Sequence, residues 1–314
     1  MAILPAPADF PSGLTYARSP HAGRRTDCRS LRLDFCQSSI SVTPVVNRTA
    51  GANLRRSTGS TIPKRSTYNF LGFRQLLLFL CTFLVLLTAQ NQPGENKKSV
   101  LFIYGGWEGH EPEKCRDLFV PWLKSKGFNV TATPSLDAYL DEDLMNSVDL
   151  IIQVYTMSSI SPEQEKMLLM AVRDRGVAMA GWHGGLADAF RNNPDYHFMI
   201  GGQWVAHPGG TVKYEVNIVD NEDPITRGLG DFTIRSEQYY MHVDPANQVL
   251  AETTFSGEGA YWIKGTTVPV VWKKKYGIGR IFYSSLGHNV KVFEIPEAMT
   301  IMKRGILWAI GELD

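Results

Sequence analysis

Two uninterrupted apolar runs each stop on a glycine-rich turn, and that pairing narrows the fold more than any other feature of the chain. Ser99-Val100-Leu101-Phe102-Ile103-Tyr104 ends in Gly105-Gly106, and Val177-Ala178-Met179-Ala180 ends in Gly181-Trp182-His183-Gly184-Gly185. A strand that is apolar at every position is buried on both faces, as in a parallel sheet covered by helices. Helical signals fall between such runs. Residues 112–126 form one candidate, closed by Gly127. Residues 161–175 form another, with Ser161 as cap, Pro162 in the first turn, acids facing the dipole and Gly176 as stop. Strands are expected at 128–133 and 149–154 as well. Strands alternating with helices at this spacing predict an α/β sandwich with a mostly parallel central sheet.

The second half reads as richer in strands. Alternation predicts strands at 212–219, 237–243, 248–253 and 269–274. A turn at 276–280 precedes a last strand over 280–286, which delivers His288, and an amphipathic helix over 295–310 ends the chain. Residues 98–314 are therefore expected to form one domain with a β-rich elaboration.

The first third differs in composition. Residues 1–97 carry 12 Lys+Arg against 4 Asp+Glu, and the remainder carries 20 against 27. The domain is mildly acidic, which argues against a nucleic-acid partner. Residues 1–69 lack the apolar mass of a core and read as disordered or as an extension beyond the true start. Residues 70–90 hold a basic flank (Arg74), the apolar run Leu76 to Leu87 and the small residues Thr88-Ala89. That order describes an export signal, or an N-terminal membrane anchor over 70–89. Residues 91–97 read as a linker. The expected location is outside the cytoplasm, with this segment as the one route to a membrane. Cys28, Cys36 and Cys81 lie before the domain, leaving Cys115 alone in it, unable to form an internal disulfide.

Five of the seven histidines sit beside glycine or at the end of an apolar run: His110, His183, His207, His242 and His288. Glycine turns at strand ends are where α/β folds build sites, and histidine exchanges protons near neutral pH and binds metals. His183 occupies the turn of a nucleophile elbow. A histidine there suits acid–base or metal chemistry better than covalent catalysis. His110 and Glu111 follow the first strand. No Walker or GxGxxG spacing is present, so no nucleotide cofactor is expected. Read as one strand, 237–243 would put Glu237, Tyr239 and Met241 on one face and Gln238, Tyr240 and His242 on the other. No HExxH or CxxC occurs. A divalent metal such as zinc would need distant ligands, for example His183, His207 and His242.

Ala180-Gly181-Trp182-His183-Gly184-Gly185, Ile200-Gly201-Gly202-Gln203-Trp204, His207-Pro208-Gly209-Gly210, Asp223-Pro224-Ile225-Thr226-Arg227-Gly228-Leu229, Ser236-Glu237-Gln238-Tyr239-Tyr240 and the stretch from Pro269 to His288 occur in this order. Together they resemble the ThuA-like, trehalose-utilisation family from about Lys98 to the C-terminus. The resemblance implies a flavodoxin-like three-layer fold of the class I glutamine amidotransferase-like superfamily. In amidotransferases of that superfamily the elbow bears cysteine. Here it bears His183, which argues against glutamine hydrolysis. The implied substrate class is a disaccharide or keto-sugar.

The leading expectation is thus an exported sugar-processing enzyme, a hydrolase, lyase or isomerase. His183 and His288 would do acid–base work, and His110, Glu111, Trp182, Glu237, Tyr239 and Tyr240 would contact a small sugar. The alternatives are a carbohydrate-binding or assembly protein without chemistry and a zinc-dependent hydrolase. The sequence leaves the oligomeric state open.

Overall fold

The computed structural model describes residues 97–314. The expected extension, the apolar segment 70–90 and the linker up to Asn96 lie outside the described residues. Among the described residues, no helix is long and apolar enough to cross a membrane.

The domain is built on a nine-stranded mixed sheet. Its parallel half contains β1 (Ser99–Gly106), β2 (Asn129–Thr133), β3 (Leu150–Thr156), β4 (Ala178–Trp182) and β11 (Gly279–Ser284), in the order β2-β1-β3-β4-β11. The sheet continues through β10 (Thr267–Tyr276), β9 (Gln248–Thr254), β6 (Thr211–Ile218) and β7 (Phe232–Glu237), each antiparallel to its neighbour. A separate two-stranded ribbon pairs β5 (Gly202–Ala206) with β8 (Tyr240–Val243).

Alternate side chains of each central strand enter different cores. Val100 and Phe102 of β1 pack with Cys115, Phe119 and Leu123 of α1 (Pro112–Ser125), and with Ile301, Met302 and Ile306 of α6 (Pro296–Ile310). Leu101 and Ile103 pack on the other face with Leu168, Ala171 and Val172 of α3 (Pro162–Arg175). Two helical layers around one sheet are the α/β sandwich expected from the apolar runs, in the flavodoxin-like form that the resemblance implies. The capping of α3 is reciprocal: the Ser161 hydroxyl accepts from Gln164 N, and the Gln164 side chain accepts from Ser161 N.

The main correction concerns residues 237–243. They do not form one strand. β7 stops at Glu237 and pairs with β6, whereas β8 starts at Tyr240 and pairs with β5. Gln238 and Tyr239 make the crossing between sheets. The short helices α2 (Glu142–Ser147), α4 (His183–Ala187) and α5 (Pro194–Ile200) complete the chain.

Candidate active site

Three strands of the parallel half end in a non-glycine residue with left-handed backbone: Glu111 after β1 (φ 50°), Met157 after β3 (φ 49°) and His183 after β4 (φ 49°). Such a conformation costs roughly 1–2 kcal/mol per residue. All three lie at the C-terminal edge of the sheet.

Glycine lets these loops approach closely. A Cβ on Gly106 would lie 1.9 Å from Thr156 O, and one on Gly184 would lie 2.6 Å from His110 Cε1. Trp107 N donates to Thr156 O at 3.0 Å, which ties the β1 loop to the end of β3. His110, in the short 3-10 turn Glu108–His110, is buried and bonds Thr156 Oγ1 through Nδ1 at 2.9 Å.

The elbow is held from below. Gln153 of β3 donates to Gly185 O and to Tyr196 Oη, and accepts from Tyr139 Oη. Tyr283 of β11 donates to the His183 carbonyl at 3.2 Å, and Tyr239 stacks on the His183 ring with centroids 3.9 Å apart. His183 Nδ1 faces Ser285 O at 2.7 Å. A carbonyl only accepts, so Nδ1 carries the proton. In the neutral ring Nε2 is therefore a lone-pair acceptor.

That lone pair points 3.0 Å from Glu237 Oε2. Burial pushes the His183 imidazole down to about 4, against an opposing pull from Glu237. Burial pushes the Glu237 carboxyl up, but the surrounding imidazoles of His110, His183 and His288 outweigh it and hold Glu237 well below the usual carboxylate range. With Nδ1 protonated, the Nε2 lone pair of a neutral His183 and the Glu237 carboxylate oxygen are both acceptors, so a proton or a metal ion between them would satisfy both.

The remaining donors surround the same carboxylate. His288 Nδ1 lies 3.2 Å from Glu237 Oε2 but is not aligned for a hydrogen bond, and this buried nitrogen has no hydrogen-bonding partner. His110 Nε2 lies 3.9 Å from Oε2. One donor atom from each of His110, His183, Glu237 and His288 falls within 4.8 Å of the others. Three imidazoles and a carboxylate match the nitrogen and oxygen donor chemistry of zinc and similar divalent ions.

The expected triad of His183, His207 and His242 does not assemble. His242 is exposed on β8 opposite Gln203, because the crossing at Gln238-Tyr239 carries it into the ribbon. His207 stands at the rim, partly exposed, with Nε2 3.8 Å from Glu237 Oε1. Among the expected sugar contacts, Tyr239 lines the cavity. Tyr240 turns away and packs on Phe255. Trp182 is buried in the core among Phe102, Phe119 and Phe293. Glu111 is a brace: its carboxylate accepts from Lys114 Nζ and from Val290 N, joining the β1 loop to the segment after His288.

A cavity of about 250 Å³ opens above Glu237. Its walls include Trp107, Met157 and Trp204, together with an Asp188–Arg191 pair whose guanidinium lies 4.7 Å over Trp204. Sequence reasoning missed these five. Trp107 and Trp204 stand within stretches already marked by glycine, and Asp188 and Arg191 have helical i,i+3 spacing, but no periodicity points them at a site. Cys115 lies under the sheet, where burial pushes its thiol up to about 12. It is not a nucleophile for this site.

A family model described as trehalose utilisation (ThuA) matches residues 99–309. Solved structures of two ThuA-like proteins are similar to this chain. The one from Bacteroides uniformis is 16% identical with a TM-score of 0.56, over 68% of this chain and 91% of that one. The one from Parabacteroides merdae is 17% identical with a TM-score of 0.55, over 69% of this chain and 91% of that one. No curated protein matches by sequence.

Proposed function

The chain belongs to the ThuA (trehalose utilisation) family, and from that premise we propose that it processes a sugar by metal-assisted acid–base chemistry at His110, His183, Glu237 and His288. The observation that carries this reading is the convergence of three imidazole nitrogens and one carboxylate oxygen within 4.8 Å of one another. The fixed tautomer of His183, whose free lone pair opposes Glu237, supports it.

His110, His183, Glu237 and His288 would hold a divalent ion, which when bound would supply Lewis acidity for a carbonyl or hydroxyl oxygen. The rest of the work falls to the chain itself. The Ser285 carbonyl and the Tyr239 ring fix the orientation of His183. Trp107 and Trp204 offer flat walls to a sugar ring, and Asp188 and Arg191 offer hydrogen bonds to hydroxyls. His207, partly exposed beside Glu237, is placed to exchange a proton with a bound sugar. The substrate class that suits this arrangement is a keto-sugar, whose C–H beside the carbonyl would become accessible to an imidazole base once the carbonyl oxygen is polarised. The basic flank and apolar run before the domain favour an exported or anchored protein.

The test uses the full chain, purified without a histidine tag. Elemental analysis should find close to one transition-metal ion per chain. Chelation should abolish turnover across a panel of keto-disaccharides, and His183→Ala should lose the ion. A protein that takes up no metal after incubation with zinc, yet turns over a keto-sugar, would sink the metal assignment. Binding without turnover across the panel would replace the enzyme with a carbohydrate-binding protein.

A further inference from the structure

Between β9 and β10 the chain makes an excursion with a small core of its own. Phe255, Ala260, Ile263 and Val268 are buried together, with Tyr240 packed against them. Backbone bonds close it: Phe255 N to Thr266 O, Gly265 N to Phe255 O, and Ile263 N to Ala260 O. Three glycines with left-handed backbone, Gly257, Gly259 and Gly265, shape its turns.

This ordered scaffold turns Ile263 inward and its two neighbours outward. Tyr261 is 81% exposed and Trp262 73% exposed. Their rings meet edge to face, with centroids 5.3 Å apart. Aromatic side chains of this size ordinarily bury about 150–250 Å² each. Adjacent, preorganised and uncovered, the pair is a surface waiting for an apolar face.

Its position and size indicate what covers it. The excursion abuts the His207 loop, since a Cβ on Gly259 would lie 2.9 Å from Gly209 N. His207 is itself at the rim of the cavity. Tyr240, packed on the excursion, adjoins Tyr239 inside the cavity. At their cited exposure the two rings together offer roughly 230–390 Å², well short of the ~800 Å² per partner of a stable protein interface. The flanking residues Gly257, Glu258, Lys264 and Gly265 do not extend the apolar patch. A pyranose, with its C–H face toward a ring and hydroxyls left in water, fits such a platform.

We propose that Tyr261 and Trp262 form a second sugar-binding platform outside the cavity, holding a further ring of an oligosaccharide whose reacting unit sits by Glu237. The proposal rests on the carbohydrate reading of the site. The test titrates the full chain with neutral oligosaccharides, maltohexaose and cellohexaose first, by calorimetry and saturation-transfer NMR. At least one should bind. Trp262→Ala and Tyr261→Ala should each weaken it by about tenfold, the scale of one stacked ring, with unchanged thermal unfolding. His183→Ala should retain platform binding. Affinity unchanged in both aromatic variants, or no oligosaccharide bound by the wild-type chain, overturns the platform. So does a dimer in sedimentation that Trp262→Ala dissolves, because a second copy would then be the occupant. The two readings fail separately. Oligosaccharide binding without turnover removes the cavity chemistry alone. Turnover of a short keto-sugar, with longer sugars indifferent to Trp262, removes the platform alone.

Discussion

The parallel and antiparallel halves of the sheet contribute unequal things to the site. The parallel half supplies three imidazoles from the ends of β1, β4 and β11, of which His110 and His183 are held by close glycine contacts, backbone strain and buried hydrogen bonds. The antiparallel half supplies one carboxylate, Glu237, from the last residue of β7. Neither half holds the chemistry alone. Histidines without the carboxylate are a cluster of bases under no common charge, and the carboxylate without them is a buried anion. The site is thus a property of the seam between two kinds of sheet.

The sharpest way to break that comparison is to remove one contribution at a time. Glu237→Ala should cost as much turnover as His183→Ala, about 10²–10⁴-fold each, and the double variant should cost little more than either. Steady-state kinetics on a proven keto-sugar would check this. A Glu237→Ala enzyme with near wild-type turnover would confine the chemistry to the parallel half. A second effect appears in chelated protein. His183 sits at about 4 in the folded state against 6.5 in the unfolded chain, so the unfolded chain binds more protons. Stability contributed by the neutral ring is complete above about pH 6.5 and falls as pH drops toward 4, by up to about 3 kcal/mol. Urea unfolding at stepped pH should show that decline, and His183→Ala should flatten it.

Smaller effects separate the elbow's floor from its turn. Gln153→Leu strips the hydrogen bonds under Gly185 and leaves Tyr139 and Tyr196 without an amide partner. It should cost about 1–3 kcal/mol, seen as a fall in Tm, without removing any group from the cavity. Smallest, His183→Gly should be more stable than His183→Ala by roughly 1 kcal/mol, because glycine relieves the left-handed backbone. Equal stability of the two variants would mean that the elbow relaxes once the imidazole is gone.

The same division explains what could be read from the sequence. Buried parallel strands announce themselves as largely apolar runs, so β1, β3 and β4 were legible, as were His110 after β1 and His183 after β4, and His288 followed from the last strand. The antiparallel half was legible as alternation but not as connectivity. Residues 237–243 alternate like one strand, and nothing local marks Gln238-Tyr239 as a crossing. Whether they pair with β6 or β5 is settled by partners far along the chain. Hence Glu237 could be named as a candidate, while the one-strand reading could not show that the crossing carries Tyr240 and His242 into the ribbon with β5. Trp182 sits in the quoted elbow motif and still belongs to the core, because a turn that exposes one side chain buries its neighbour. Met157, Asp188 and Arg191 come from loops and short turns, where residue type carries little positional information.

One bond pattern also bears on when the site comes into being. His183 reaches 54 residues forward to Glu237 and 102 forward to Ser285. Contacts of that span close late, after the entropy of the intervening loops has been surrendered. During synthesis the elbow strand is complete long before the carboxylate, and the carboxylate long before β11. A nascent or partly folded chain therefore has histidines but no assembled pocket. Any ligand that needs all of them together binds only the finished fold and stabilises it by mass action. Occupancy of the site is then a report that the whole domain, from first strand to last, has closed.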